Sequence, residues 1–182
     1  MTNDDTALHT SRLNGWRIAG WGALAALLAL PALAMLLTDE VDWTLLDFVF
    51  AGVLLAALGT GFELAFRLGR SAAHTVGIVL FSLTAFFTVW SNLAVGIIGD
   101  ESEPINAGFT LLTVAGAITA LAVRLRASVM HWVAGILAVS QPVIGLVALS
   151  AMTGNGVEWG VLGVLALMWG GAALLFRHSA RR

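Results

Sequence analysis

The chain holds 182 residues, 59% of them hydrophobic and only 11% charged, where a soluble domain usually carries roughly 25% charged residues. That balance excludes a water-soluble core of this size, because too little polar surface remains to cover it. Absent cysteine excludes disulfides, thiolate metal sites and cysteine nucleophiles, and absent lysine excludes a lysine Schiff base, while the net charge of −2 taken whole excludes nothing.

In chain order, the first 17 residues are polar and predict a mobile tail at 1–17. Six apolar runs follow, at 18–37, 44–66, 76–98, 107–123, 128–152 and 157–176, with a basic tail at 177–182. A hydrocarbon core needs about 20 apolar residues per helix, and these runs meet or approach that length. They are apolar on all sides, which argues against the ten-residue alternation of a membrane barrel. The predicted fold is therefore all-α, a polytopic membrane bundle of six transmembrane helices. An alternative remains at the N-terminus. Arg12, Arg17, the run to Pro31 and then Ala32–Ala34 resemble a cleavable signal, which would leave five helices. Continuation of the apolar run through Leu37 favours a span.

All nine basic residues are arginines, and they fall in alternate gaps. Arg12 and Arg17 precede the first run, Arg67 and Arg70 separate the second and third, and Arg124 and Arg126 separate the fourth and fifth. Arg177, Arg181 and Arg182 follow the sixth. The positive-inside rule then places both termini in the cytoplasm. The opposite loops carry Asp39, Glu40, Asp42, Asp100, Glu101, Glu103 and Glu158. Close packing in lipid relies on small residues at four-residue spacing, for which Gly15/Ala19, Gly22/Ala26, Gly52/Ala56, Ala57/Gly61 and Gly116/Ala120 are candidates. Pro31 and Pro142 predict kinks.

Ionisable and amide groups inside the bilayer are the candidate site, since burying them in lipid is costly. Asp47 lies about 6 Å below the outer interface and Asn92 about 9 Å below it, at 1.5 Å per residue. Thr84, Thr88, Ser91 and Asn92 share one sector of the third helix, and Asp100, Glu101 and Glu103 follow in an acidic loop. One reading joins Asp47, Asn92 and this loop in an outward-facing polar vestibule for cations or protons. The other gives Asp47 to a helix N-terminus or the headgroups, and Asn92 to helix–helix hydrogen bonding. Glu63 stands four residues before Arg67, the spacing of a helix-surface ion pair. Gln141, beside Pro142, is a polar amide near mid-membrane. His74 and His131 begin helices, but nothing in the sequence pairs them as haem ligands. No catalytic residue set, cofactor site or metal site is legible, and nothing points to nucleic acid.

The stretch Trp90-Ser91-Asn92-Leu93-Ala94-Val95-Gly96-Ile97-Ile98-Gly99-Asp100-Glu101-Ser102-Glu103-Pro104, followed by Asn106, resembles a W-x-N-L-A-V-G-I-I-G-acidic-P signature. That signature belongs to a family of small, functionally uncharacterised bacterial multi-pass inner-membrane proteins. Asp47-Phe48 and Glu63 resemble the same group. The resemblance covers the second to fourth helices and implies a bacterial inner-membrane location and no particular activity. Two functions are carried forward. One is a non-enzymatic accessory or assembly partner of a membrane complex, embedded in the lipid bilayer, alone, as a homo-oligomer or within a larger assembly. The other is a proton- or cation-coupled transporter or channel using Asp47, Asn92, Gln141 and Glu63.

Overall fold

A computed structural model describes residues 4–99, 102–151 and 157–181. The described residues form six α-helices: α1 Asp4–Leu37, α2 Leu45–Leu68, α3 Ala72–Ala94, α4 Asn106–Ala122, α5 Ala127–Ala151 and α6 Trp159–Ala180. All but α4 are long and apolar enough to cross a membrane. The protein is a membrane-spanning helical bundle.

Both end helices extend beyond the apolar runs into the polar tails. Helix α1 starts at Asp4, so the polar lead is continuous with the first span. No proline interrupts it before Pro31, and nothing there stops a helix from propagating. Helix α6 likewise runs to Ala180, with Arg177 and His178 in a last turn that favours cations.

The chain divides into two compact units, Met1–Thr60 and Gly61–Arg182. In the first, glycines of α2 admit side chains of α1. A Cβ on Gly59 would come within 2.8 Å of Leu24 and 2.9 Å of Trp21, and one on Gly52 would meet Leu28 at 3.5 Å. Gly15 and Gly22, candidates for the same role, have no such neighbour among the described residues.

In the second unit α6 packs against α3 and α5, and α4 closes the ring by packing against the same two helices. Its core holds Ile78, Phe81, Met130, Leu137, Trp169 and Phe176. Phe81 meets Trp169 edge-on with ring centroids 4.9 Å apart. Gly61 lies so close to α3 that an added Cβ would fall 2.7 Å from the Ser82 Cβ and collide with its hydroxyl. That hydroxyl already donates to the Ile78 carbonyl at 2.9 Å, so the short side chain has little room to give. Gly61→Ala should therefore destabilise by about 1–3 kcal/mol. Gly135, with open space around it, provides the control, because alanine there gains helix propensity. Thermal unfolding in detergent should move in opposite directions for the two variants.

One end of the ring is tied by polar contacts. The His74 Nε2 lies 2.8 Å from the Leu125 carbonyl, and the Ser71 and Ser179 hydroxyls lie 3.2 Å apart. The N-terminus of α3, the α4–α5 turn and the C-terminus of α6 therefore share an end, which carries Arg70, Arg124, Arg126, Arg177 and Arg181. At the other end the Glu158 N–H donates to the Ile97 carbonyl at 3.4 Å, and Ile98 bridges Val157 in antiparallel fashion. From α3 to α6 the described arginines and carboxylates thus lie at opposite ends of the second unit.

Candidate functional site: the asparagine-pinned end

Helix α3 stops at Ala94, four residues before the end of the apolar run. Gly96 and Gly99 take positive φ angles of 72° and 66°, a region glycine enters at little cost. Between them the chain turns inward. Ile97 and Ile98 are fully buried and pack with Phe109, Ala148, Leu162 and Leu165. The two isoleucines therefore fill the carboxylate-bearing end of the ring as a plug.

A buried plug exposes its backbone to an apolar interior, where unpaired N–H and C=O groups are costly. Asn106 meets that need from the first turn of α4. Its Oδ1 accepts from the Ile97 and Ile98 N–H groups at 3.3 and 3.0 Å. Its Nδ2 donates to the Ile98 carbonyl at 3.0 Å. Asn92, in the last turn of α3, then donates from Nδ2 to the Asn106 carbonyl at 2.7 Å and to the Thr110 hydroxyl at 2.8 Å. A carbonyl can only accept, so these bonds fix which way each amide faces. The remaining Asn92 atom, Oδ1, is buried without a hydrogen-bond partner.

Asn92 and Asn106 also line an open cleft of about 480 Å³ with Leu93, Ser102, Glu103, Pro104, Thr110 and Leu111 among its walls. Glu103 thus shares a wall with Asn92. Asp100 and Glu101, the other expected members of the acidic loop, lie outside the described residues. The loop closes onto α4 through i→i+3 bonds, in which Asn106, Ala107 and Gly108 donate to Glu103, Pro104 and Ile105. These bonds extend a helix that is otherwise short for a bilayer.

Asp47 belongs to the first unit, and its bonds are local. Its Oδ2 accepts from the Thr44 N–H and hydroxyl, both at 2.7 Å, while its own N–H donates to the Thr44 Oγ1 at 3.4 Å. This is the reciprocal capping box, and it satisfies donors at the start of α2. Glu63 accepts from the Arg67 Nε at 3.1 Å in the expected i,i+4 pair. Arg67 is largely exposed, so the pair contributes at most about 0.5 kcal/mol.

Gln141 stands apart. It is fully buried in α5, and neither amide atom finds a hydrogen-bond partner. The buried threonine hydroxyls of α3 and α4 are committed elsewhere. Thr84, Thr88 and Thr113 donate to carbonyls one turn back on their own helices. Trp169 Nε1 is also buried without a partner. Gln141→Leu removes two desolvated polar atoms while keeping similar bulk, so stability should rise by about 1–3 kcal/mol. The measurement is the thermal midpoint in detergent.

The chain matches no family model, curated protein or solved structure. The site's interpretation therefore rests on its own geometry. Two residues carry more of that geometry than their sequence context suggests. Asn106 follows Pro104, within a signature whose paired glycines break a helix, and that spacing was the available signal. His74 holds a backbone carbonyl 51 positions away, and no local pattern marks that contact.

Proposed function

We propose that this chain is a non-enzymatic accessory or assembly subunit of a bacterial inner-membrane complex, with both termini in the cytoplasm. The observation that carries the reading is the Ile97–Ile98 plug pinned by Asn106 and Asn92. A transport vestibule calls for polar groups lining a path, whereas three of these four amide atoms, both of Asn106 and the Nδ2 of Asn92, bond to the backbone at the buried plug. Asp47 and Glu63 are likewise engaged by neighbours on their own helix or at its start. The orientation is supported by the segregation of arginine from carboxylate, and the bacterial inner membrane by the Trp90–Pro104 signature. The lipid bilayer is its solvent, and a homo-oligomer or larger membrane complex is the assembly in which it acts.

A second reading, proton- or cation-coupled transport, draws on one observation: the unpartnered amide of Gln141 beside Pro142, in the interior of α5. Ion and proton flux into liposomes decides between the two. The accessory reading expects flux indistinguishable from empty liposomes for the native chain, Asp47→Asn and Gln141→Leu. Native flux that either substitution abolishes would replace it with the transport reading.

A further inference from the structure

Three stretches far apart in sequence bring arginines to one place. The His74 imidazole touches all three. It accepts from the Arg70 N–H at 3.2 Å, lies 2.8 Å from the Leu125 carbonyl, and meets the Phe176 ring at a centroid distance of 5.9 Å. Arg124 and Arg126 flank Leu125, and Arg177 follows Phe176. The Ser71–Ser179 contact at 3.2 Å brings Arg181 to the same end. All five arginines are exposed. None of them pairs with a carboxylate among the described residues, whereas Arg67 is held by Glu63. A cluster of guanidinium groups without counter-charge attracts an anion, and their planar forks match the oxygens of a phosphate.

Arg124 carries a second, independent mark. Its φ of 51° lies in the left-handed region, which glycine enters freely and other residues enter under strain. Backbone strain of this kind gathers where a side chain has a ligand to hold. The flanks below the cluster identify the source of the anion. Leu121, Trp132 and Leu174, three to six residues from an arginine, are 61%, 67% and 66% exposed. A soluble phosphate has no use for apolar flanks, whereas a phospholipid sets its phosphodiester at the helix ends and its acyl chains along them. We propose that the arginine-bearing end of the second unit binds the phosphodiester headgroup of an anionic phospholipid, with Arg124 as an anchor. A zwitterionic choline headgroup fits less well, because its own cation meets five guanidinium groups. None of this depends on the accessory reading of the chain.

The test uses the full chain in detergent micelles. Phosphatidylglycerol and phosphatidylcholine with identical acyl chains are offered together, and retained lipid is read by native mass spectrometry. The native chain should prefer phosphatidylglycerol by at least about tenfold. Arg124→Gly removes a charge from a strained position. Its thermal midpoint in lipid-free detergent should therefore hold or rise, while the preference falls about fivefold. Arg67→Gln removes the same charge from an arginine already paired with Glu63, and should leave the preference within about twofold. Equal retention of both lipids by the native chain overturns the proposal, as does a preference that Arg124→Gly leaves intact. An equal loss in the two variants overturns it as well, because net charge alone would then attract the lipid. Stabilisation by glycerol phosphate without any lipid preference would assign the arginines to a soluble anion, and would also overturn it.

Discussion

Asn106→Ala is expected to cost about 3–9 kcal/mol, because it strands three buried backbone groups at about 1–3 kcal/mol each. The groups are the Ile97 and Ile98 N–H and the Ile98 carbonyl, all served by this one side chain. No water reaches Ile98 to replace the bonds, since its exposure is 0%. Typical proteins are stable by only about 5–15 kcal/mol, so the loss approaches the whole margin. Size-exclusion profiles and thermal midpoints in detergent should show a chain that aggregates or melts early. Asn106→Asp is the informative companion. It keeps the acceptor for both N–H groups but sets a carboxylate against the Ile98 carbonyl, so it should fail nearly as badly. An Asp variant as stable as the native chain would mean that the donation to Ile98 contributes little.

The opposite end of the second unit supplies the next largest effect. His74 is buried. Its Nδ1 accepts from the Arg70 N–H at 3.2 Å, so Nε2 carries the proton and donates to the Leu125 carbonyl. Leu125 and Arg124 both adopt positive φ, at 54° and 51°. Neither is a glycine, and each such residue costs about 1–2 kcal/mol. The turn persists because its surroundings hold it, through His74 and through the Leu125 N–H bond to Ala120 at 2.8 Å. His74→Phe retains the bulk of the ring but abandons the carbonyl, and should cost about 1–3 kcal/mol. His74→Ala adds a cavity beneath Phe176, whose ring meets the imidazole edge-on at 5.9 Å, raising the loss to about 3–5 kcal/mol. Introducing Arg124→Gly into the phenylalanine variant relieves one left-handed residue and should recover about 1 kcal/mol. Urea or thermal unfolding of the variants, compared as a series, measures each step.

Much of this architecture could be read from hydropathy, because lipid imposes a length on every span. The runs found for α2, α5 and α6 match the helices within a few residues. Helix α3 shows where that reading breaks down. Gly96, Ile97, Ile98 and Gly99 score as apolar whether they span a membrane or plug a bundle, and hydropathy alone cannot separate the two. The paired glycines were the clue to a break, and their positive φ angles are the reason. Glu63 was legible because an ion pair at i,i+4 is a local pattern. The capping box of Asp47 was equally local, in Thr44-Leu45-Leu46-Asp47, but the cost of a carboxylate in lipid suggested a deeper role alongside it. For Asn92, the shared polar sector was legible in helical spacing, but not the partners, which lie 14 and 18 residues on. His74 was beyond reach, since its partner is a main-chain carbonyl that any residue could have presented.

A chain without cysteine allows the closure at Ile97–Ile98 to be measured directly. Ile98→Cys and Ser102→Cys are placed singly in the otherwise native protein, in intact membrane vesicles whose outer face presents the carboxylate-bearing end. A membrane-impermeant thiol reagent is then added. Ser102 is exposed while Ile98 is not, so the cysteine at 102 should label readily and the one at 98 only after the protein is unfolded. Labelling of the cysteine at 98 as fast as that at 102 would mean an open, water-filled mouth, and the pinned plug would not describe this end of the protein.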